Sequence, residues 1–310
     1  ATGFQVKVPD MPRSAILEEM HPRGVLRPSI SALASISGAY IIVSAQGSTA
    51  DTALRDRRDA MREALASDPN EESLYVNFYD REQVAAWVRS QPGMITWVRE
   101  KIGQPIQGWR PYANWSASPP EETEYILDDT ARLHSWPPRN DGPLSILEGI
   151  QRLRDLLAKP QQVLRLVGLS GVGKTRLIQA LFDDMVGSDA LDRSIVAYTD
   201  LADDPDPSPR ELLRQFVQDR QRILVVVDNC PPDDHRALAA ICKEPASPLS
   251  LITVEYDVGE DDTPEGTAVF CLEPASDEVI TKLLARRYSH ISDVDCRRIA
   301  GFAGGNARVA

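Results

Sequence analysis

The residues Gly168-Leu169-Ser170-Gly171-Val172-Gly173-Lys174-Thr175 follow the spacing G-x-x-x-x-G-K-[ST]. Each type in that spacing has a chemical task. Glycines let successive backbone N–H groups curl around phosphate oxygens in conformations that a side chain obstructs. Lys174 has the reach to meet β- and γ-phosphates, and the Thr175 hydroxyl is a hard oxygen suited to Mg²⁺. Ser170, Val172 and Arg176 contribute backbone N–H groups to the same anion site, so Gly168, Ser170, Gly171, Val172, Gly173, Lys174, Thr175 and Arg176 are the expected nucleotide-binding residues.

A carboxylate completes the set. Asp228 ends the apolar run Ile223-Leu224-Val225-Val226-Val227, which reads as a parallel strand covered on both faces. A carboxylate at the C-terminal end of such a strand lies where these sheets bind ligands, so Asp228 is expected to hold Mg²⁺ with Thr175. Lys174 and Asp228 are the expected catalytic pair. The next residue is Asn229, which can orient water but cannot take a proton from it. Slow ATP hydrolysis is the consequence expected.

Other residue classes offer less. The four cysteines, Cys230, Cys242, Cys271 and Cys296, form no CxxC pair, and the four histidines are scattered. A reduced, cytoplasmic setting suits that cysteine usage. The run Ile106–Trp115 places Trp109, Tyr112 and Trp115 beside Arg110, a composition that stacks nucleic-acid bases or packs between domains; packing is the expectation, because no further positive charge lies nearby.

These residues must be positioned by a core, and 310 residues suffice for about two domains. A strand over Val163–Val167 leads into the glycine loop and a helix over Lys174–Met185 leads out. Strands over Ile195–Tyr198, Leu249–Val254 and Ala268–Leu272 alternate with helices over Pro209–Arg220 and Asp234–Cys242. Ser145, three residues before Glu148, reads as a capping box opening a helix with apolar Ile146, Ile150, Leu153 and Leu157, and Ser208 reads as the cap of Pro209–Arg220. Two final helices span about 276–289 and 293–303. The alternation predicts an α/β fold with a mostly parallel sheet between helices, followed by the start of a helical subdomain.

Upstream, Phe4–Lys7, Tyr40–Ser44 and Leu74–Asp80 read as strands of a smaller N-terminal α/β domain, with a charged helix over Arg55–Ala66. Proline-rich stretches at Ser116–Pro120 and Ser135–Pro143 read as linker, flanking a short acidic helix over 121–134. The expected organisation is therefore 1–115, linker 116–142, nucleotide core 143–273 and helical segment 274–310. The first residues, Ala1–Lys7, carry neither a signal peptide's apolar core nor an initiator Met, and read as a strand entered partway, so the chain is expected to be a fragment. No apolar run approaches the ~18 residues of a membrane span. A net charge of −12 argues against a surface that grips nucleic acid throughout.

Residues 143–310 resemble the STAND-class P-loop NTPases, the NB-ARC- and NACHT-like signal-transduction proteins related to AAA+ ATPases. The resemblance rests on Gly168–Leu177, on Leu224-Val225-Val226-Val227-Asp228-Asn229, on the one strand between those motifs, and on Ala303-Gly304-Gly305-Asn306-Ala307. It implies an ATP/ADP-governed switch used in signal transduction or defence, homo-oligomeric when activated, with Thr253 sensing the γ-phosphate and the Gly304-Gly305-Asn306 loop near the adenine. Ala307 stands where the family has Pro, and Glu255 where an Arg is usual. The alternative of another class is a P-loop kinase of a small molecule or nucleoside, which requires an arginine-bearing lid; Asp203–Pro207 does not look like one. At the N-terminus, Gln5-x-Lys7 is similar to the second half of the active-site motif of Mrr-like restriction endonucleases, which implies a truncated nuclease-like domain whose metal-binding Asp precedes residue 1.

Overall fold

A computed structural model of the chain describes residues 1–47, 49–116, 125–126, 128, 130–136, 142–256 and 265–310. They divide into two compact units, Ala1–Ser90 and Gln91–Ala310. Residues 117–120 and 137–141 of the proline-rich stretches, and 121–124 at the start of the expected acidic helix, lie outside the described residues.

The first unit is a three-stranded parallel sheet, β1 (Thr2–Lys7), β2 (Ala39–Ser44) and β3 (Tyr75–Tyr79), in that order. Its helices are α1 (Arg13–Met20), α2 (Pro28–Ser35), α3 (Asp51–Leu65) and α4 (Arg81–Arg89). Ile16, Met20, Ile30, Ile42, Met61 and Phe78 form its dry core. All three expected strands are present, and the charged run forms α3 because Leu54, Ala60, Met61 and Leu65 keep one face apolar.

The second unit holds an eight-stranded sheet. Its strands are β4 (Trp109–Pro111), β5 (Arg132–Trp136), β6 (Leu144–Ser145), β7 (Val163–Val167), β8 (Val196–Asp200), β9 (Ile223–Asp228), β10 (Leu249–Val254) and β11 (Ala268–Leu272). Their spatial order is β4-β8-β9-β10-β7-β11-β5-β6. The central five, β8 to β11 with β7 among them, run parallel, whereas β4 and β5 pair antiparallel at either side. The helices are α5 (Pro92–Lys101), α6 (Tyr112–Ser116), α7 (Ile146–Leu157), α8 (Lys174–Ala180), α9 (Pro209–Gln218), α10 (Pro232–Cys242), α11 (Asp277–Arg287) and α12 (Asp293–Ala303).

Strand alternation divides the core into two layers. Leu224 and Val226 of β9 join Leu153, Leu166, Ile178, Phe182 and Ile252 on the face of α7 and α8, while Ile223, Val225 and Val227 join Leu213, Leu238 and Leu251 on the face of α9 and α10. Both capping boxes form: Ser145 accepts from the Glu148 N–H at 3.3 Å, and Ser208 accepts from the Glu211 N–H at 3.4 Å. Helices α11 and α12 pack on each other through Ile280, Leu284, Cys296 and Ala300.

Three sequence expectations fail here. The compact division falls at Ser90/Gln91 and not after residue 115, because Trp109–Pro111 completes one edge of the large sheet by pairing with β8. The expected acidic helix over 121–134 is a strand where it is described at Arg132–Trp136; pairing with β11 and burial of Leu133 outweigh local helix propensity. The helix after the glycine loop ends at Ala180, short of Met185. The turn that follows is held by the buried guanidinium of Arg154 on α7, which donates to Ala180 O at 2.7 Å, Leu181 O at 3.0 Å, Asp183 O at 2.9 Å and Val186 O at 2.7 Å.

Candidate functional site

The C-terminal ends of β7, β8, β9 and β10 open onto a cleft of 640 Å³ lined by the glycine loop, Tyr198, Asp200, Asp228, Asn229 and Glu255. Gly171 and Gly173 hold φ values of +84° and +99°, a region closed to most side chains, which turns the loop back on itself. Val172 is buried and anchors the loop in the core, while Ser170, Gly171 and Gly173 line the cleft. The Lys174 Nζ donates to Gly168 O at 2.6 Å and Leu169 O at 2.8 Å. Burial lowers the Lys174 pKa, and the negative charges of Asp228 and Glu255 work against that shift.

Across the cleft, Thr175 Oγ1 donates to Asp228 Oδ2 at 2.9 Å, although 53 residues separate the two in sequence. The Tyr198 hydroxyl donates to the same oxygen at 3.2 Å, and the Asn229 N–H donates to Oδ1 at 3.0 Å. Asn229 itself sits at φ +50° and its side chain donates to Asp200 Oδ1 at 2.7 Å. Asp200 ends β8 directly opposite Asp228 in the parallel register. Among the described residues, no group of three or more His, Cys, Asp or Glu is arranged to hold a metal by itself. Thus the structure brings Lys174, Thr175 and Asp228 together as expected from the sequence. Arg176 lines the cleft, where its guanidinium lies 4.0 Å from the Tyr125 ring centroid.

Other expectations change. Thr253 is fully buried and its hydroxyl shares a 2.7 Å hydrogen bond with His235 Nδ1. Alternation along β10 sends Ile252 and Val254 to the α7/α8 face and leaves Thr253 away from the cleft, so it is not placed to sense a γ-phosphate. The next residue, Glu255, lines the cleft instead. The Gly304-Gly305-Asn306 loop is seated on the glycine loop: Asn306 Nδ2 donates to Ser170 O at 2.8 Å, Ala307 N to Gly171 O at 3.1 Å, and Arg308 Nη1 to Ser170 Oγ at 2.8 Å. The aromatic run is a packing element: Trp109 and Trp115 are both buried, and Trp109 Nε1 donates to Pro207 O at 2.8 Å. In the first unit, Lys7 of the Gln5-x-Lys7 pattern pairs with Glu19 at 2.8 Å.

The sequence reading missed the wall of the cleft formed by Tyr125, Ile126, Asp128 and Ala131. Asp128 ties this segment to the start of α11, accepting from the N–H groups of Ser276 at 2.6 Å, Thr130 at 2.9 Å and Ala131 at 3.1 Å. Burial raises its pKa, but these hydrogen bonds outweigh burial and bring it down from 3.8 to about 2. A depressed carboxylate stabilises the fold above its unfolded pKa and loses that effect as pH falls through the folded one. Asp128→Asn is therefore expected to lower the thermal midpoint by a few degrees at pH 7, with the two proteins converging as pH drops from 3.8 through about 2. Differential scanning calorimetry across that range checks it; equal midpoints at pH 7 would contradict the tie.

No family model matches the chain, and no curated protein matches it. Among solved structures it is similar to the Signal Transduction ATPase with Numerous Domains (STAND) protein with a tetratricopeptide repeat sensor from Pyrococcus horikoshii, at 10% identity and a TM-score of 0.31. That match covers 60% of this chain and 30% of the other, so this chain spans less than a third of that protein's length. It is also similar to NtrX from Brucella abortus in complex with ADP, at 11% identity and a TM-score of 0.25, over 96% of this chain and 72% of that one.

Proposed function

We propose that residues 91–310 bind ATP and hydrolyse it slowly, and that the bound nucleotide acts as a switch governing self-association and an N-terminal effector. The reading is carried by one observation: Thr175 of the glycine loop and Asp228 of β9 meet at 2.9 Å in a cleft that also holds Lys174. Glycine-loop N–H groups would cradle the phosphates, and Lys174 would exchange its two loop carbonyls for phosphate oxygens. Thr175 Oγ1 and the Asp228 carboxylate are hard oxygen donors, a pairing that fits Mg²⁺ completed by nucleotide phosphates. Bound there, Mg²⁺ would neutralise phosphate charge. The apolar flank of the cleft, including Ile126, Ile150, Val279, Ile280 and Leu283, suits the base and sugar. A cytoplasmic setting agrees with the free cysteines, and no described helix is long and apolar enough to cross a membrane. The Gln5-x-Lys7 pattern supports a nuclease-like ancestry for the first unit, whose partner would then be nucleic acid.

Slow turnover is expected because Asn229 is tied to Asp200 and cannot accept water's proton. Phosphate release should fall well below ~10 s⁻¹, the median for enzymes. Steady-state release at tens per second from the 310-residue protein would refute this. Light scattering in ATP against ADP tests the switch: identical mass in both, at saturating nucleotide, would remove the link to self-association.

A further inference from the structure

We infer that Tyr198, braced by the stacked ring of Trp115, is a positioning residue that fixes the Asp228 carboxylate for a metal ion; the inference rests on the nucleotide-site reading above. Asp228 is gripped from three directions. Thr175 and Tyr198 hydroxyls both donate to Oδ2, at 2.9 and 3.2 Å, and the Asn229 N–H holds Oδ1 at 3.0 Å. Thr175 Oγ1 could offer a lone pair to Mg²⁺ while its O–H stays on Asp228, and the Tyr198 hydroxyl would be the second side-chain donor holding that oxygen. A phenol carries its proton at neutral pH, so this hydroxyl is a donor to the carboxylate.

Tyr198 does not hold its angle unaided. Its ring lies 4.6 Å from the Trp115 ring at an interplanar angle of 15°, and both side chains are about 95% buried (5% and 6% exposed). Trp115 is fixed in turn to the helix that begins with Lys174 and Thr175. Gln179 Nε2 donates to Trp115 O at 2.8 Å, the Tyr112 hydroxyl donates to Gln179 O at 3.1 Å, and Tyr112 meets Trp115 edge-on at 5.8 Å. One short segment, α6, therefore braces both side-chain partners of Asp228: Tyr198 through ring stacking, and Thr175 through α8. A carboxylate held at a set angle needs no reordering when a metal arrives, which is the physical basis of preorganisation.

The test is Mg²⁺ titration of the full chain loaded with a fluorescent, non-hydrolysable ATP analogue, beside the analogue's affinity in EDTA. Tyr198→Phe keeps the stacked ring and removes only the hydroxyl. It should raise the Mg²⁺ midpoint about tenfold, equivalent to about 1.4 kcal/mol, with metal-free affinity within about twofold of the wild type. Trp115→Ala should raise the midpoint similarly, Trp115→Phe should restore most of it, and the Tyr198→Phe/Trp115→Ala double variant should exceed neither single variant by more than about twofold, since the two act as one unit. Tyr198→Phe alone carries the test if the alanine variant does not fold. An unchanged Mg²⁺ midpoint in Tyr198→Phe, with nucleotide bound normally, would overturn the inference alone. Fully additive effects would overturn the role of Trp115. A wild-type chain that binds no nucleotide would overturn the site reading, and this inference with it.

Discussion

Lys174→Ala is expected to weaken Mg·ATP binding by about a hundredfold or more, roughly 2.7 kcal/mol. The magnitude follows from the number and kind of bonds lost. Nζ is half-buried in the cleft and makes two short hydrogen bonds to Gly168 and Leu169 carbonyls, so it would reach phosphate without a large reordering. Charge-assisted bonds to phosphate contribute about 1.5–3 kcal/mol where solvent is displaced. Burial lowers the Lys174 pKa, but Asp228 and Glu255 oppose the shift, and an incoming triphosphate would favour the ammonium further. Isothermal calorimetry decides the matter. Wild-type affinity in a folded Lys174→Ala variant would mean that the phosphates do not bind in the glycine loop. Lys174→Arg should recover only part of the loss, because the guanidinium is a planar fork and not a compact point charge.

The second large effect concerns stability. Arg154→Met should destabilise the protein by about 4 kcal/mol, and a loss of this size lowers the thermal midpoint by ~10 °C in a unit of this length. Methionine fills similar apolar volume, so the loss isolates the guanidinium. Arg154 is 2% exposed and donates to five carbonyls; those of Ala180, Leu181 and Asp183 also accept a backbone N–H, whereas those of Val186 and Ser188 depend on the guanidinium and are left unsatisfied in the variant. Unsatisfied buried acceptors cost about 1–3 kcal/mol each before relaxation and water entry reduce the sum. Because Arg154 bonds the carbonyls of residues 180 to 188, the variant should also loosen the segment after Ala180. Calorimetry gives the midpoint, and amide hydrogen exchange over residues 181–195 reports the local effect. A midpoint within two or three degrees of wild type would show that these carbonyls find solvent readily.

Features written in consecutive residues were legible without a structure. The glycine spacing of 168–175 dictates a turn that only small residues permit, and the Ser145/Glu148 box and the Ser208 cap form from local geometry, the latter closed by Glu211. Unbroken apolar character from Ile223 to Val227 was enough to mark a strand buried on both faces, and therefore to put Asp228 at the sheet's ligand edge. What tertiary structure decided involves partners distant in sequence. Thr253 was read as facing the cleft, yet the face of a strand residue depends on register against neighbours, and parity along β10 turned its hydroxyl to His235. Residues 109–111 and 132–136 carry weak local signals, and they became strands because β8 and β11 offered unpaired donors and acceptors. The carbonyls at and after the end of α8 are held by Arg154, more than twenty residues upstream of them. Trp115, Tyr198 and Asp228 are joined by one stack and one hydrogen bond across segments 83 and 30 residues apart. Local propensity and periodicity act within a turn or a strand; which distant groups satisfy one another is chosen only when the chain closes on itself and every buried polar group must find a partner.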